Sequence, residues 1–117
     1  GRARLEAALA AGRSVGRNTP LAELIARDVD FHRAIYALSG NSAIEEMIAP
    51  HWPHMRRSMA TVLAELDYRD SAWREHETIA AHVLSGNARQ AEAAALAHAL
   101  GAGRMTEERL RAGDKAA

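Results

Sequence analysis

The sequence predicts an all-α fold, an antiparallel bundle of about six helices. Three observations carry that expectation. Apolar residues recur at three- and four-residue intervals along most of the 117 residues, and no segment alternates as a half-buried strand does. Alanine supplies 27 of those residues, which favours helices that pack closely. Gly, Asn and Pro fall where they cut the pattern into helix-sized pieces.

Taken in order, Arg2 to Ala11 reads as a short helix with Leu5, Ala8 and Leu9 on one face, stopping near Gly12. Gly12 to Thr19 is polar and glycine-containing and reads as a loop. Pro20 suits a first helical turn, with Thr19 as its N-cap, and the second helix should run to a stop at Ser39-Gly40. Ser42 and Glu45 have capping-box spacing, so a third helix restarts at once, antiparallel to the second. Pro50 and Pro53 should kink or break it. Met55, Met59, Val62, Leu63 and Leu66 then carry an apolar face to about Leu66, and Asp67 to Asp70 reads as a connection. Ser71 to Ser85 forms the next helix, with Trp73, Ile79, Ala80, Val83 and Leu84 as its stripe. Gly86-Asn87 is a second stop and restart, and Asn87 with Gln90 resembles a capping box. The last helix should span Ala88 to about Arg111 with Ala91, Ala94, Ala95 and Ala102 on its packing face, leaving Gly113 to Ala117 frayed.

Composition narrows the function. The length suits one domain over residues 1–117 with a real core. There is no cysteine, which excludes disulfides, thiolate metal sites and a Cys nucleophile. Fifteen basic and fifteen acidic residues give a formal net charge of zero, without the electrostatic footprint of a nucleic-acid-binding domain. No apolar run approaches the roughly 18 residues of a membrane span, and no signal peptide is visible. The first residue is Gly1 rather than Met, which suggests a piece of a longer protein or a processed chain, and the expectation is a soluble, cytoplasmic protein.

Against this background one stretch stands out, Asp28-Val29-Asp30-Phe31-His32. Positions four apart on an α-helix differ by about 40° around the axis, so Asp28 and His32 point the same way. The apolar stripe Leu21, Leu24, Ile25, Phe31, Ile35, Leu38, continued through its gap, lands on both. A carboxylate facing a core needs a charge-assisted partner or a metal. His76 and His98 lie on the stripes of two further helices. Together the four residues form a set of three imidazoles and one carboxylate, and such sets in bundle cores bind divalent metal. His51 and His54 flank Pro53, and His82 lies about 240° around its helix from His76, so these three read as surface or packing residues.

The run Asp28-Val29-Asp30-Phe31-His32-Arg33-Ala34 with Leu38-Ser39-Gly40-Asn41 resembles the start of the FCD domain. This is the C-terminal effector-binding domain of the FadR branch of GntR-family bacterial transcription regulators. Glu75-His76-Glu77 with Ile79, then Ser85-Gly86-Asn87, Ala91 and His98, resembles its second half, so similarity covers nearly the whole chain. The resemblance implies a helical bundle around one cavity in which Asp28, His32, His76 and His98 hold a divalent ion and a small carboxylic acid completes its coordination. It also implies a homodimer that meets DNA only through an N-terminal winged helix-turn-helix domain absent from these residues.

Charge leads to the same ligand. One ionised Asp and three neutral His around a divalent ion leave about +1, with one or two coordination positions open to an organic anion. Arg56 or Arg57 should face inward to orient it. Zinc is the first expectation, with nickel, manganese or iron as alternatives. Two rival readings stand beside the sensor. One is a metal-dependent hydrolase-type enzyme using Glu75 or Glu77 as base, although neither glutamate is placed by spacing to reach the metal. The other is a structural dimerisation module, which leaves the four inward polar residues unexplained.

Overall fold

A computed structural model describes residues 2–38 and 42–116, with side chains through 113. Among the described residues there are six α-helices and no strand: α1 (Arg2–Arg13), α2 (Leu21–Leu38), α3 (Ser42–Ile48), α4 (Trp52–Leu63), α5 (Leu66–Leu84) and α6 (Ala88–Ala116), with a 3-10 turn at Ala49–His51. The expected all-α bundle is what forms. No described helix is long and apolar enough to cross a membrane.

Several boundaries follow from sequence chemistry. Pro50 sits in the 3-10 turn and Pro53 in the first turn of α4, so the expected break is a one-turn change of helix type. The α5–α6 turn is a Schellman motif. Gly86 adopts φ +75°, the Asn87 amide donates to the His82 carbonyl (2.9 Å), and the Gly86 amide donates to that of Val83 (3.2 Å). Only glycine takes that φ without strain, and the three-residue link folds α6 back along α5. The stop expected at Ser39-Gly40 lies outside the described residues.

Other boundaries correct the sequence reading. Helix α1 continues through Gly12 to Arg13, and Gly12 packs over the Trp73 indole at ordinary van der Waals distance, so this glycine does not act as a stop. The Thr19 hydroxyl accepts the Gly16 amide (2.9 Å), so it ties the loop together instead of capping α2. Helix α4 ends at Leu63, and Asp67 to Asp70 belong to the first turns of α5. Glu65 is extended, which makes the break, and Asp67 suits the positive end of the α5 dipole. Arg69 reaches back to the chain end it has just left, with Nε donating to the Leu63 carbonyl (2.7 Å) and Nη1 to that of Arg17 (3.1 Å). Helix α6 runs on past Arg111 to Ala116, and Ala95, expected on its packing face, is exposed.

Two apolar clusters make the core. Leu5, Leu9, Phe31, Ala34, Ile79 and Ala80 join α1, α2 and α5. Leu24, Val29, Met59, Val62, Leu63 and Ala72 join α2, α4 and α5. Helices α2 and α5 serve both, and each also buries a polar residue: Asp28 on α2, and His76 on α5 between Phe31 of one cluster and Trp73 beside the other. The seam between the cores is where the candidate site lies.

Since Arg69 satisfies two otherwise open carbonyls, Arg69→Ala should lower the unfolding free energy by about 1.5–3 kcal/mol. Urea unfolding measures this, and Arg69→Lys, which keeps the charge without the fork, should recover only part of it.

Candidate metal centre

Helix α2 presents Asp28 and His32 one turn apart, α5 presents His76 and α6 presents His98. Asp28, His76 and His98 retain 6%, 3% and 7% of their surface, whereas His32 is partly buried. Oδ1 of Asp28 lies 3.1 Å from Nε2 of His32 and 3.2 Å from Nε2 of His76. The three imidazoles each offer a nitrogen, and these atoms lie within 4.8 Å of one another. Packing fixes the rings: His76 stacks on Phe31 with centroids 4.1 Å apart and meets Trp73 at 4.5 Å, while His32 stacks on His98 at 5.6 Å. The four residues singled out in the sequence are therefore brought together from three helices.

The donor set fits a divalent cation. Nitrogen and oxygen ligands at about 2.0–2.2 Å from one ion sit about 3–4 Å from each other, so small side-chain shifts close the cluster. Oδ1 of Asp28 and Nε2 of His76 are buried and make no hydrogen bond of proper angle despite their proximity. Two orphaned atoms of ligand type, facing each other, are what a metal would satisfy.

Protonation suits the same purpose. Burial pushes the Asp28 carboxyl up, but the imidazoles of His32 and His76 outweigh it and hold the group well below the usual carboxylate range. Burial drives the His76 imidazole down to about 4, against the raising influence of Asp28. At neutral pH the pair is an ionised carboxylate beside a neutral imidazole, the forms that metals bind. Nδ1 of His98 lies 3.0 Å from Oε2 of Glu75. With Nδ1–H donated to that carboxylate, Nε2 of His98 keeps its lone pair for the cluster, a carboxylate–histidine arrangement common behind metal ligands.

Glu75 thus has a role that helix spacing alone could not assign, since its partner lies 23 residues away on α6. Glu77 turns the other way and grips Arg13 of α1 with two hydrogen bonds (2.7 and 2.9 Å). Arg56 and Arg57 correct the sequence reading most clearly. Both are exposed, and among the described residues Arg57 reaches His54. The inward face of α4 is Met55, Ser58, Met59 and Val62, so neither arginine turns toward the centre. His51 and His54 are exposed and His82 is partly buried, away from the cluster. A chamber of about 280 Å³ opens beside Asp28, His32 and His98, walled by α2, α4, α5 and α6. Its hydroxyl-bearing residues, Tyr36, Ser58, Tyr68 and Thr106, escaped the sequence reading, because lone hydroxyls carry no pattern.

Two outcomes are expected. In the presence of chelator, the unfolded chain protonates His76 near its ordinary value of about 6.5 while the folded chain resists until about 4. Stability is therefore present above pH 6.5 and is lost as pH falls toward 4. This residue contributes a loss of about 2 kcal/mol between pH 7.5 and 5, which His76→Gln should remove from a pH series of unfolding curves. Second, Glu75→Ala should weaken metal affinity about 10–100-fold. Glu75→Gln, whose amide oxygen still accepts from His98, should weaken it less.

A family model described as FCD domain matches residues 1–101. Comparisons with curated proteins and with solved structures gave no match. The family match covers all four residues of the cluster, with α2 and α5 complete and α6 as far as residue 101. The chain belongs to the FCD domain family, the effector-binding domains of GntR-type transcription regulators.

Proposed function

We propose that this chain senses a small carboxylate through a divalent metal held by Asp28, His32, His76 and His98. It does so as the non-catalytic, dimerising half of a cytoplasmic bacterial regulator whose N-terminal domain contacts DNA. The observation that carries the reading is the convergence of a buried, ionised carboxylate and three imidazoles at the wall of a chamber large enough for a small acid. When bound, the metal supplies a Lewis-acidic anchor for an anion. Asp28 supplies the compensating charge, Phe31 and Trp73 hold His76 in place, and Glu75 orients His98. Zinc leads among the candidates, followed by nickel, manganese and iron.

Against the enzyme reading stands the engagement of its candidate bases, Glu75 with His98 and Glu77 with Arg13. Coupling to DNA binding has a physical route. Helices α2 and α6 pack little against each other among the described residues, and His32 and His98 approach across the gap between them. A ligand that prefers one spacing of His32 and His98 biases the position of α6 relative to α2, and such small helix shifts are how bundles transmit binding. Leu96, Leu100 and Leu110 of α6 are largely exposed, which supports pairing with a second copy.

Metal analysis after dialysis should find one divalent ion per chain, and His76→Ala or His98→Ala should abolish that stoichiometry. Calorimetry with a panel of carboxylic acids should give binding to the metal-loaded protein and none after chelation. Binding that survives chelation, or conversion of an acid to product, would favour the rival readings.

A further inference from the structure

The chamber beside the cluster has an unusual charge inventory. Among the described residues Asp28 is its only acidic group, and no Lys or Arg lines it. The cations nearby are committed elsewhere. Arg69 serves the Leu63 and Arg17 carbonyls, Arg109 faces Glu65 at 3.4 Å, and Arg56 and Arg57 are exposed. Arg27 and Arg74 border grooves that touch His76 or His98 but not Asp28. A second space, about 420 Å³, also meets His32 and His98; it is largely apolar and adds Glu92, again with no cation.

From this inventory we infer that the effector is a monocarboxylate with an uncharged remainder, and that the site rejects di- and tricarboxylates. The inference rests on the metal-dependent sensor reading and specifies its ligand. A divalent ion and the Asp28 carboxylate sum to +1, which one carboxylate neutralises. A second carboxylate would enter the chamber near Asp28 with nothing of opposite sign to meet it, and a partly buried charge without a partner is strongly disfavoured.

The rest of the wall is neutral. Ser58 Oγ lies 3.2 Å from Thr106 Oγ1, and Thr106 donates its proton to the Ala102 carbonyl (2.9 Å). Ser58 must therefore be the donor between the two hydroxyls, which leaves its oxygen as an acceptor on the chamber wall. Tyr68 keeps its phenolic proton, because burial and the nearby Glu75 and Asp28 carboxylates push it up to about 12. Met55, Met59 and Val62 complete an apolar floor. Hydroxyl, alkyl or aryl groups suit such walls; a second anion does not. The volume of about 280 Å³ lies just below the roughly 300–1,000 Å³ typical of small-molecule sites, which suits a small acid.

The test is isothermal calorimetry on the zinc-loaded chain with three matched pairs, propionate and succinate, lactate and malate, benzoate and phthalate. Each pair differs by one carboxylate in place of a hydrogen, and zinc content is measured after each titration to exclude stripping of the metal. The expected result is that at least one monocarboxylate binds on the order of 100-fold more tightly than its dicarboxylate partner. Met55→Lys, which adds a cation to the chamber, should move that ratio at least about tenfold toward the dicarboxylate. Dicarboxylates that bind as well as their partners with zinc retained would overturn the inference and leave the sensor reading standing. A folded Met55→Lys variant with an unchanged ratio would also overturn it. If Met55→Lys fails to fold, the six acids decide by themselves. Absence of zinc-dependent binding by all six would remove the sensor reading and the inference together.

Discussion

The structure depends on one uncomfortable group, the ionised carboxylate of Asp28 buried at the seam of two apolar clusters. Desolvating such a charge alone costs several kcal/mol, and the imidazoles of His32 and His76 are what keep it charged. That requirement ties α2 to α5 at one register, since a shift of either helix by a residue would swing Asp28 or His76 by about 100°. The arrangement is still incomplete. Two buried ligand atoms lack hydrogen-bond partners, at a cost of about 1–3 kcal/mol for each such group, and a bound cation would offset it. Metal binding and folding are then linked, since an ion that binds only the folded chain stabilises it by mass action.

Seen from that centre, much of the remaining architecture serves to hold four side chains in place. Gly86 folds α6 back so that His98 returns beside His76. Gly12 and Trp73 press α1 against α5, and Trp73 in turn covers one side of the His76 ring. Phe31, on the same helix as Asp28, covers another. Rigid support of this kind sets ligand geometry as much as the ligands themselves do. Helix α6 packs closely along α5 but little against α2, so what a ligand held between His32 and His98 would bias is the spacing of α6 from α2.

The parts legible in the sequence were those with a period. Asp28 and His32 at i and i+4, and His76 and His98 on apolar stripes, could be read because helical spacing converts directly into direction. Stop chemistry at Gly86 was legible for the same reason of local sufficiency. What escaped depends on long-range partners. Asp67-Tyr68-Arg69-Asp70 looks like a polar connection, yet it is helix because Arg69 closes the end of α4 and Asp67 suits the helix dipole. Arg56 and Arg57 were expected to supply a cation to the chamber. The phase of α4, set by Met55, Met59 and Val62 packing inward, turns both outward. The hydrogen bond from His98 to Glu75 and the hydroxyl pair of Ser58 and Thr106 each span two helices, and no spacing rule within one helix reveals them.

The claim on which the rest stands is that one ion is ligated by three imidazoles and a carboxylate. X-ray absorption spectroscopy of the zinc-loaded chain reads that first shell directly. The expected spectrum has nitrogen and oxygen neighbours at about 2.0–2.2 Å with outer-shell scattering of three imidazole rings. Addition of a bound carboxylic acid should change the oxygen contribution while the imidazole scattering stays. A zinc shell with one imidazole or none, or one unaltered by His98→Ala, would contradict the assignment.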